Sequence, residues 1–445
     1  MIVDTALLAR EATGNPIRVG IVGAGATGRA IATQLGTPVP GIQLVAIANR
    51  TPKHGERAFH GANITAWDYA ESAQQAETVI ARGLPVLTDD PSVLTKCDAI
   101  DVLVEVTGTV EAAAQVTLEA FDYGKHVVLV NAELDSLLGP ILKAKADQAG
   151  VVVTHTDGDE PGVAMTLLRY LRSLGLKPVA AGNIKGMVDH YRNPETQRAF
   201  AEANDQDVKK VTSFADATKL SMETTVLANA TGFHAGRRGM YGPACKYVGE
   251  MADLLPADQM LDSGLVDYAL GAAPYTGAFV IVHEESPLKK AQLAYYKLGK
   301  GPFYVFYTPF HLPHIQIAST IGRAVIHRDP TVAPIAGPVC EVVTVAKRDL
   351  KAGERLDGIG GFSAYGLIDN TSTARAAGAL PIGLSEGCVL RRDVLKDDVV
   401  SFNDVVMPNG RKVEALWLEQ KARWTHSTRP EAPTLRRHMV AGEAS

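Results

Sequence analysis

Short apolar runs alternate with stretches of helical period in the first third of the chain. The runs are rich in β-branched residues, and Ala- and Leu-rich stretches separate them. Continuous apolar runs of this kind are typical of parallel strands that are buried on both faces. The pattern therefore predicts βαβ units and a doubly wound parallel α/β sheet, with strands at Ile17–Val22, Leu44–Ala48, Ile100–Val106, His126–Val130 and Val151–Thr156.

The remaining pattern divides the chain into further zones. The long crossover between Arg50 and Cys97 reads as an insertion with a helix over Ala70–Arg82. Beyond it, Pro161 in a first helical turn starts a mixed zone. In that zone we predict strands at Val179–Met187, Ala278–His283 and Tyr304–Tyr307 and a helix at Asp216–Ala230. Short strands separated by glycine turns follow at Gly337–Val405. We expect an α/β domain at 1–160, an α+β domain at 161–335, a small β domain at 336–426 and a polar tail at 427–445.

Composition excludes several kinds of partner. The 445 residues suggest two or three domains at roughly 150 residues each. The net charge of the chain is -5, whereas nucleic-acid-binding domains are usually basic. No apolar run is long enough to cross a membrane. Asp4 and Glu11 argue against a secretory signal, and the cysteines have no C-x-x-C spacing. We therefore expect a cytoplasmic protein with reduced thiols.

A glycine-rich loop follows the first predicted strand and begins a helix. In such a loop the first glycine permits a tight turn, the second lets the backbone approach a pyrophosphate, and the third packs the helix against the strand. The helix N-terminus then offers free N–H groups to the phosphates. The full strand–loop–helix context predicts a dinucleotide-binding Rossmann domain whose loop residues are Gly23, Ala24, Gly25, Ala26, Thr27 and Gly28.

The end of the second predicted strand bears on the choice between NAD and NADP. NAD-binding domains usually place Asp or Glu there to bind the ribose 2′-hydroxyl. This chain has Asn49 and Arg50 instead, with Lys53 close by. The missing carboxylate and the neighbouring cation favour the 2′-phosphate of NADPH. The alternative is that Arg50 covers the adenine in an NAD enzyme.

Other strand ends are also polar or glycine-rich. Ligands of doubly wound sheets bind outside the carboxyl ends of the strands. We therefore expect Thr107 and Gly108 to let the dinucleotide pass, and Asn131 and Glu133 to lie near the nicotinamide. Acidic residues also cap helices, and Asp159 has that alternative role.

The predicted helix in the middle of the chain carries a candidate catalytic face. Asp216, Lys219 and Glu223 follow at i, i+3 and i+7, which places them on one side of a helix. A buried lysine between two carboxylates suits proton transfer at a carbonyl oxygen during hydride transfer, or binding of a substrate phosphate. The alternative is structural, with Ser213 and Asp216 in a capping box and Lys219 and Glu223 in a surface pair.

Together these motifs resemble the homoserine dehydrogenase type of fold over about residues 17–330. The glycine-rich fingerprint, the strand ends VLVEVTG and VVLVNAELD, and the D-x-x-K helix carry the resemblance. Homoserine enzymes typically have Asn-Lys after the fifth strand, whereas this chain has Asn131, Ala132 and Glu133 and so lacks a substrate-contacting lysine there. The C-terminal segments AKRDLKAGERL and LPIGLSEGCVLRRDVLKDDVVSFNDV resemble the SAF, or β-clip, domain.

A body of this type joined to an SAF-like domain is similar to the 1-deoxy-D-xylulose 5-phosphate reductoisomerase-like (DRL) family. The resemblance implies a homodimeric, NADPH- and divalent-metal-dependent enzyme of isoprenoid precursor synthesis. Its NADP-binding Rossmann domain would be 1–160, and its catalytic and dimerisation domain would be 161–335. Its substrate would be a small phosphorylated sugar, 1-deoxy-D-xylulose 5-phosphate, and its product 2-C-methyl-D-erythritol 4-phosphate. The acids Asp157, Asp159 and Glu160 are the best local candidates to hold Mg²⁺ or Mn²⁺, which prefer oxygen ligands. Lys219, Asp216, Glu223 and Glu133 are the candidate catalytic residues.

Two other functions remain open at this point. One is a metal-independent, NADP-dependent dehydrogenase of a small hydroxy compound. The other is a non-catalytic NADP(H)-sensing protein whose C-terminal domain binds a partner or a sugar.

Overall fold

The computed structural model describes residues 2–425, and it begins with a parallel sheet covered by helices on both faces. The strands are β1 (Ile17–Val22), β2 (Ile42–Ala48), β3 (Asp68–Tyr69), β4 (Val86–Thr88), β5 (Val102–Glu105), β6 (His126–Leu129) and β7 (Val153–His155). The helices are α1 (Asp4–Ala12), α2 (Ala26–Leu35), α3 (Pro52–Gly61), α4 (Ala73–Ala81), α5 (Pro91–Thr95), α6 (Glu111–Asp122) and α7 (Ala132–Ala149).

The strand order β3-β4-β2-β1-β5-β6-β7 reverses direction at β1, as in a doubly wound fold. All neighbouring pairs are parallel. The predicted Rossmann sheet is confirmed, and its strands coincide with the apolar runs to within two residues. The predicted insertion contributes strands as well as helices, since β3 and β4 extend the sheet beyond β2.

The second region surrounds a mixed sheet of order β12-β11-β8-β10-β9. Its strands are β8 (Lys177–Lys185), β9 (His234–Ala235), β10 (Leu265–Leu270), β11 (Ala278–His283) and β12 (Phe303–Thr308). Its helices are α8 (Glu160–Ser173), α9 (Pro194–Ala203), α10 (Val208–Ala215), α11 (Thr218–Thr231), α12 (Met251–Leu254), α13 (Ala257–Asp262), α14 (Pro287–Tyr295) and α15 (Ile317–Ile326). Helix α15 returns to pack against β6 and β7 of the first sheet.

The third region contains two small antiparallel pairs, β13 (Cys340–Ala346) with β14 (Ala364–Asn370), and β15 (Val389–Leu390) with β16 (Val405–Val406). Two helices, α16 (Thr371–Ala376) and α17 (Lys412–Arg423), complete it. Trp417 of α17 is buried in the core that covers one face of the first sheet, so this region packs on the Rossmann domain. The proposed tail at 427–445 lies outside the described residues, and the domain boundaries stay predictions.

Among residues 2–425, none of the helices combines the length and the apolarity that crossing a bilayer requires.

Candidate active site

The glycine-rich loop has the geometry of a dinucleotide site. Gly23 directly follows β1 and has a φ of 107°, which glycine adopts without strain. A Cβ on Gly28 would lie 2.1 Å from the carbonyl oxygen of Gly23, so only glycine lets α2 approach so closely. A Cβ on Gly25 would meet nothing within 4 Å, which leaves that backbone accessible to a ligand. Each glycine therefore has the position expected from the sequence.

The end of β2 is tied to this loop. The Oδ1 atom of Asn49 accepts a hydrogen bond of 2.9 Å from the backbone N–H of Ala24, and its Nδ2 donates to the carbonyl oxygen of Thr51 at 2.8 Å. Asn49 thus holds the loop in place. The side chain of Arg50 is exposed, as is that of Lys53 at the start of α3.

The polar ends of β5 and β6 are joined by a buried carboxylate. Glu105 accepts hydrogen bonds from the backbone N–H of Thr107 at 2.9 Å and from Nδ2 of Asn131 at 2.7 Å. Asn131 also caps α7, since its Oδ1 accepts from the N–H of Leu134. Burial raises the pKa of Glu105 in spite of these donors. The Asn131 side chain, expected near the nicotinamide, is therefore held by hydrogen bonds to Glu105 and to the start of α7.

Lys219 lies at the centre of a buried cluster of charges. It is in the first turn of α11, and its Nζ is 3.4 Å from Oδ2 of Asp159 and 3.7 Å from Oε1 of Glu223. Burial by itself lowers the pKa of Lys219, but the carboxylates of Asp159, Glu133 and Glu223 outweigh it and raise the pKa. Lys219 is therefore a fixed cation. Glu133, in the first turn of α7, brings this cluster against the Rossmann strand ends.

A second lysine, Lys185, contacts two carboxylates of the cluster. Lys185, at the end of β8, pairs with Oε1 of Glu160 and lies 3.3 Å from Oε2 of Glu223. Asn183 on the same strand donates a hydrogen bond of 2.7 Å to Glu223. Burial and the neighbouring Glu160 together raise the pKa of Glu223, although both lysines oppose the shift.

His155 connects the cluster to the end of β7. Its Nδ1 lies 3.1 Å from Oδ2 of Asp135, and its Nε2 lies 2.7 Å from Oδ2 of Asp159. Burial opposes protonation of this histidine, but hydrogen bonds to the two carboxylates raise its pKa to about 9. Asp159 stands at the N-cap position of α8, as the capping alternative predicts, but its carboxylate accepts no capping hydrogen bond and contacts His155 instead.

The structure corrects the placement of Asp216. Helix α11 begins at Thr218, and Ala217 has a φ of 70°, so the helix does not extend back to Asp216. The carboxylate of Asp216 accepts from the N–H of Thr218 and pairs with Nζ of Lys347 at 2.9 Å. Asp216 therefore holds the start of α11 and does not share the Lys219 face.

The structure also changes one residue of the predicted metal-ligand set, since His311 takes the place of Asp157. Asp159 and Glu160 are grouped with His311, and one potential ligand atom of each lies within 4.8 Å of the others. Asp157 points elsewhere, since its carboxylate accepts from the N–H of Gly158 and the hydroxyl of Thr166. The sequence did not indicate His311, because it comes from the loop after β12, far from the acids along the chain.

Comparison with known proteins agrees with this architecture. Residues 23–155 match the model of the homoserine dehydrogenase NAD-binding domain. Residues 158–317 match the model of the oxidoreductase DRL catalytic domain. No sequence among the curated proteins is similar enough to match.

Several dehydrogenases are among the solved structures that this chain matches. A homoserine dehydrogenase from Thiobacillus denitrificans is 15% identical, with a TM-score of 0.42 over 86% of this chain and 98% of that chain. An apo scyllo-inositol dehydrogenase from Lactobacillus casei is 12% identical, with a TM-score of 0.40 over 71% of this chain and 89% of that chain. The 1-deoxy-D-xylulose 5-phosphate reductoisomerase from Zymomonas mobilis, in complex with NADPH, is 16% identical, with a TM-score of 0.33 over 48% of this chain and 57% of that chain.

Proposed function

The chain is an NAD(P)-dependent oxidoreductase of the DRL family, and from this premise we propose that it transfers hydride between NADPH and a carbonyl substrate that binds at Lys219. The observation that carries the proposal is the buried Lys219 ammonium, placed between Asp159 and Glu223 and close to Glu133 on the Rossmann side. Its carboxylate neighbours keep it protonated at neutral pH.

A protonated lysine suits carbonyl reduction. When bound, the nicotinamide would supply hydride to the carbonyl carbon, and the carbonyl oxygen would gain negative charge. The Lys219 ammonium stabilises that charge and gives a proton to the oxygen, while Asp159 and Glu223 hold the ammonium in position. The oxidative direction would start from neutral Lys219, which the surrounding carboxylates disfavour, so the site suits reduction.

We propose NADPH as the cofactor because of the end of β2. Asn49 and Arg50 replace the carboxylate that an NAD-specific site uses, and the exposed Arg50 side chain is free to approach a 2′-phosphate. A guanidinium binds phosphate through two charge-assisted hydrogen bonds, which favours NADPH over NADH.

For the substrate we propose 1-deoxy-D-xylulose 5-phosphate, rearranged and reduced with the help of Mg²⁺ or Mn²⁺. The donor set of Asp159, Glu160 and His311 fits such a cation. Nδ1 of His311 is buried 3.3 Å from Glu160 and has no hydrogen-bond partner among the described residues. When bound, the metal would polarise a substrate carbonyl and its neighbouring hydroxyl.

A specific observation supports a second candidate, a metal-independent dehydrogenase of a small hydroxy compound. Lys185 already pairs with Glu160, and Lys219 already pairs with Asp159. These lysines neutralise two of the metal-ligand candidates without a metal ion. A non-catalytic NADP(H)-sensing protein, in contrast, gives no reason for a buried lysine among carboxylates.

The test is an assay of NADPH oxidation with 1-deoxy-D-xylulose 5-phosphate, with and without a chelator. Turnover that stops with chelator and returns with Mn²⁺ supports the metal-dependent reductoisomerase. Turnover of another small carbonyl compound that the chelator does not affect supports the simple dehydrogenase. NADPH binding without turnover of any carbonyl compound contradicts both enzymes.

A direct binding measurement separates the metal site from catalysis. Titration of the protein with Mn²⁺, followed by electron paramagnetic resonance, should show one binding site. His311→Ala should weaken the affinity of that site for Mn²⁺ by about 10-fold or more, because it removes a ligand. His314→Ala is the matched control, because His314 lies three residues away and is not in the donor set. Equal Mn²⁺ binding by both variants contradicts the site.

A further inference from the structure

One carboxylate oxygen holds two arginines that come from two helices of the Rossmann domain. Oδ2 of Asp205 lies 2.6 Å from Nη2 of Arg29 on α2 and 2.9 Å from Nη2 of Arg57 on α3. Asp205 itself belongs to the loop between α9 and α10, in the second region of the chain. An anion from one domain thus occupies a two-arginine site on the other.

The arginine pair lies beside the proposed adenosine end of the cofactor site. Nη1 of Arg29 is 3.4 Å from the carbonyl oxygen of Ala24, in the glycine-rich loop. The N–H of that same Ala24 is bound by Asn49, the residue before Arg50. Helix α3, which carries Arg57, begins two residues after Arg50. Both guanidinium groups therefore border the strand end at which a 2′-phosphate is expected.

We propose that Arg29 and Arg57 bind the 2′-phosphate of NADP(H) together with Arg50, and that Asp205 occupies this subsite until the phosphate displaces it. The inference rests on the proposed NADPH preference. A phosphate monoester carries about −1.5 to −2 charges and three acceptor oxygens, whereas Asp205 offers one carboxylate. The Asp205 side chain is 67% exposed, so its ion pairs are weak and a phosphate outcompetes them.

The same segment contacts the Rossmann domain at a second point. Asp207 caps α10 by accepting from the N–H of Lys210, and Nζ of Lys210 donates to the carbonyl oxygen of Thr107 at 3.2 Å. Residues 204–210 thus contact the Rossmann domain beside the glycine-rich loop and again at the end of β5. NADH lacks the 2′-phosphate that displaces Asp205, so this segment adds to the discrimination between the two cofactors.

The backbone at Asp205 determines which variant gives a clean test. Its φ of 49° lies in the left-handed region, which Asp and Asn tolerate better than other non-glycine residues. Asp205→Asn therefore keeps the loop and removes only the charge. Glu202→Gln is the matched control, because Glu202 is an exposed acid near the end of α9 and loses the same charge.

The experiment measures dissociation constants for adenosine 2′,5′-bisphosphate and 5′-AMP by calorimetry on the full chain. Asp205→Asn should tighten binding of the bisphosphate by about two- to five-fold and leave 5′-AMP unchanged, as expected for removal of an exposed competing pair. Arg57→Ala should weaken the bisphosphate by about 10-fold and spare 5′-AMP. Glu202→Gln should change neither.

Two results would overturn the inference, and they are distinguishable. If the parent protein prefers the bisphosphate but Asp205→Asn and Glu202→Gln have the same effect, Asp205 does not occupy the subsite, while the NADPH preference stands. If the parent binds both nucleotides equally, the NADPH preference itself is wrong, and this inference is lost with it.

Discussion

Asp216 and Lys347 form a buried ion pair that joins the start of α11 to the C-terminal region. Oδ2 of Asp216 lies 2.9 Å from Nζ of Lys347, and the two side chains are 0% and 4% exposed. Lys347 also donates to the carbonyl oxygens of Arg192 and Gly361, while Asp216 accepts from the N–H of Thr218. Because Thr218 precedes Lys219, the pair fixes the helical turn that presents the proposed catalytic lysine.

This pair predicts a large stability loss for Lys347→Met. The substitution keeps the length of the side chain but leaves Asp216 buried without its cation, which typically costs about 3–5 kcal/mol. We expect a loss of that size in the free energy of unfolding, measured by urea denaturation. Lys351→Met is the control, because the Lys351–Asp393 pair is just as short at 2.8 Å but 71% and 55% exposed. Similar losses for the two variants would contradict the argument.

Most of the Rossmann domain was predictable because its parallel strands are buried on both faces. Such strands appear in the sequence as unbroken apolar runs, and β1 was predicted at its exact residues, Ile17–Val22. Strands β3 and β4 were missed because they have only two and three residues, too few to show a period. The helix of Lys219 was also predicted, but its start was placed two residues too early, at Asp216 instead of Thr218. Ala217 in a left-handed conformation ends the periodicity there, and alanine gives no signal for it.

The candidate site was predictable only where its residues share an element. Lys219 and Glu223 stand one helical turn apart, and Asp159 and Glu160 follow the end of β7, so spacing revealed each pair. Lys185, His311 and the role of His155 were missed. Each comes from a separate strand or loop, and only tertiary packing brings them to the same carboxylates.

Lys219→Ala should lower turnover by at least about 100-fold, the scale of a lost proton donor or charge stabiliser. Lys219 is 12% exposed and neutralises buried carboxylates, so this variant should also be less stable. Lys219→Arg keeps the charge and should recover stability more fully than turnover. The measurements are kcat at saturating substrate and urea denaturation of both variants. A Lys219→Ala enzyme with unchanged kcat would exclude the catalytic role.

His155 predicts a pH dependence of stability. Its folded pKa of about 9 lies above the ordinary value of 6.5, so its protonation stabilises the fold. The contribution is fully present below about pH 6.5 and is lost as the pH rises through about 9, with a total of about 3 kcal/mol. Unfolding free energies at pH 6, 7.5 and 9 should therefore fall more steeply in the parent than in His155→Gln.

His126 provides a control of opposite sign. Burial lowers its pKa, so His126 is neutral in the fold, and its contribution to stability is lost as the pH falls below its ordinary pKa. His126→Gln should therefore keep the parent's decline between pH 6.5 and 9. The assignment to His155 is wrong if both variants retain that decline.

Cofactor preference gives the last prediction. The exposed Arg50 binds the 2′-phosphate in the proposed site, so Arg50→Ala should lower kcat/KM for NADPH by about 10-fold or more and barely affect NADH. Asn49→Asp should shift the preference further, because the new carboxylate repels the phosphate and can accept from the ribose hydroxyl of NADH. It also keeps an acceptor for the N–H of Ala24, although it loses the donor to Thr51, so the glycine-rich loop should remain in place.

The ratio of kcat/KM for the two cofactors is measured in each protein. Arg82→Ala is the control, because Arg82 is an exposed arginine that pairs with Asp68 elsewhere on the domain. Preference of the parent for NADH, or an equal loss with both cofactors in Arg50→Ala, would show that this strand end does not recognise the phosphate.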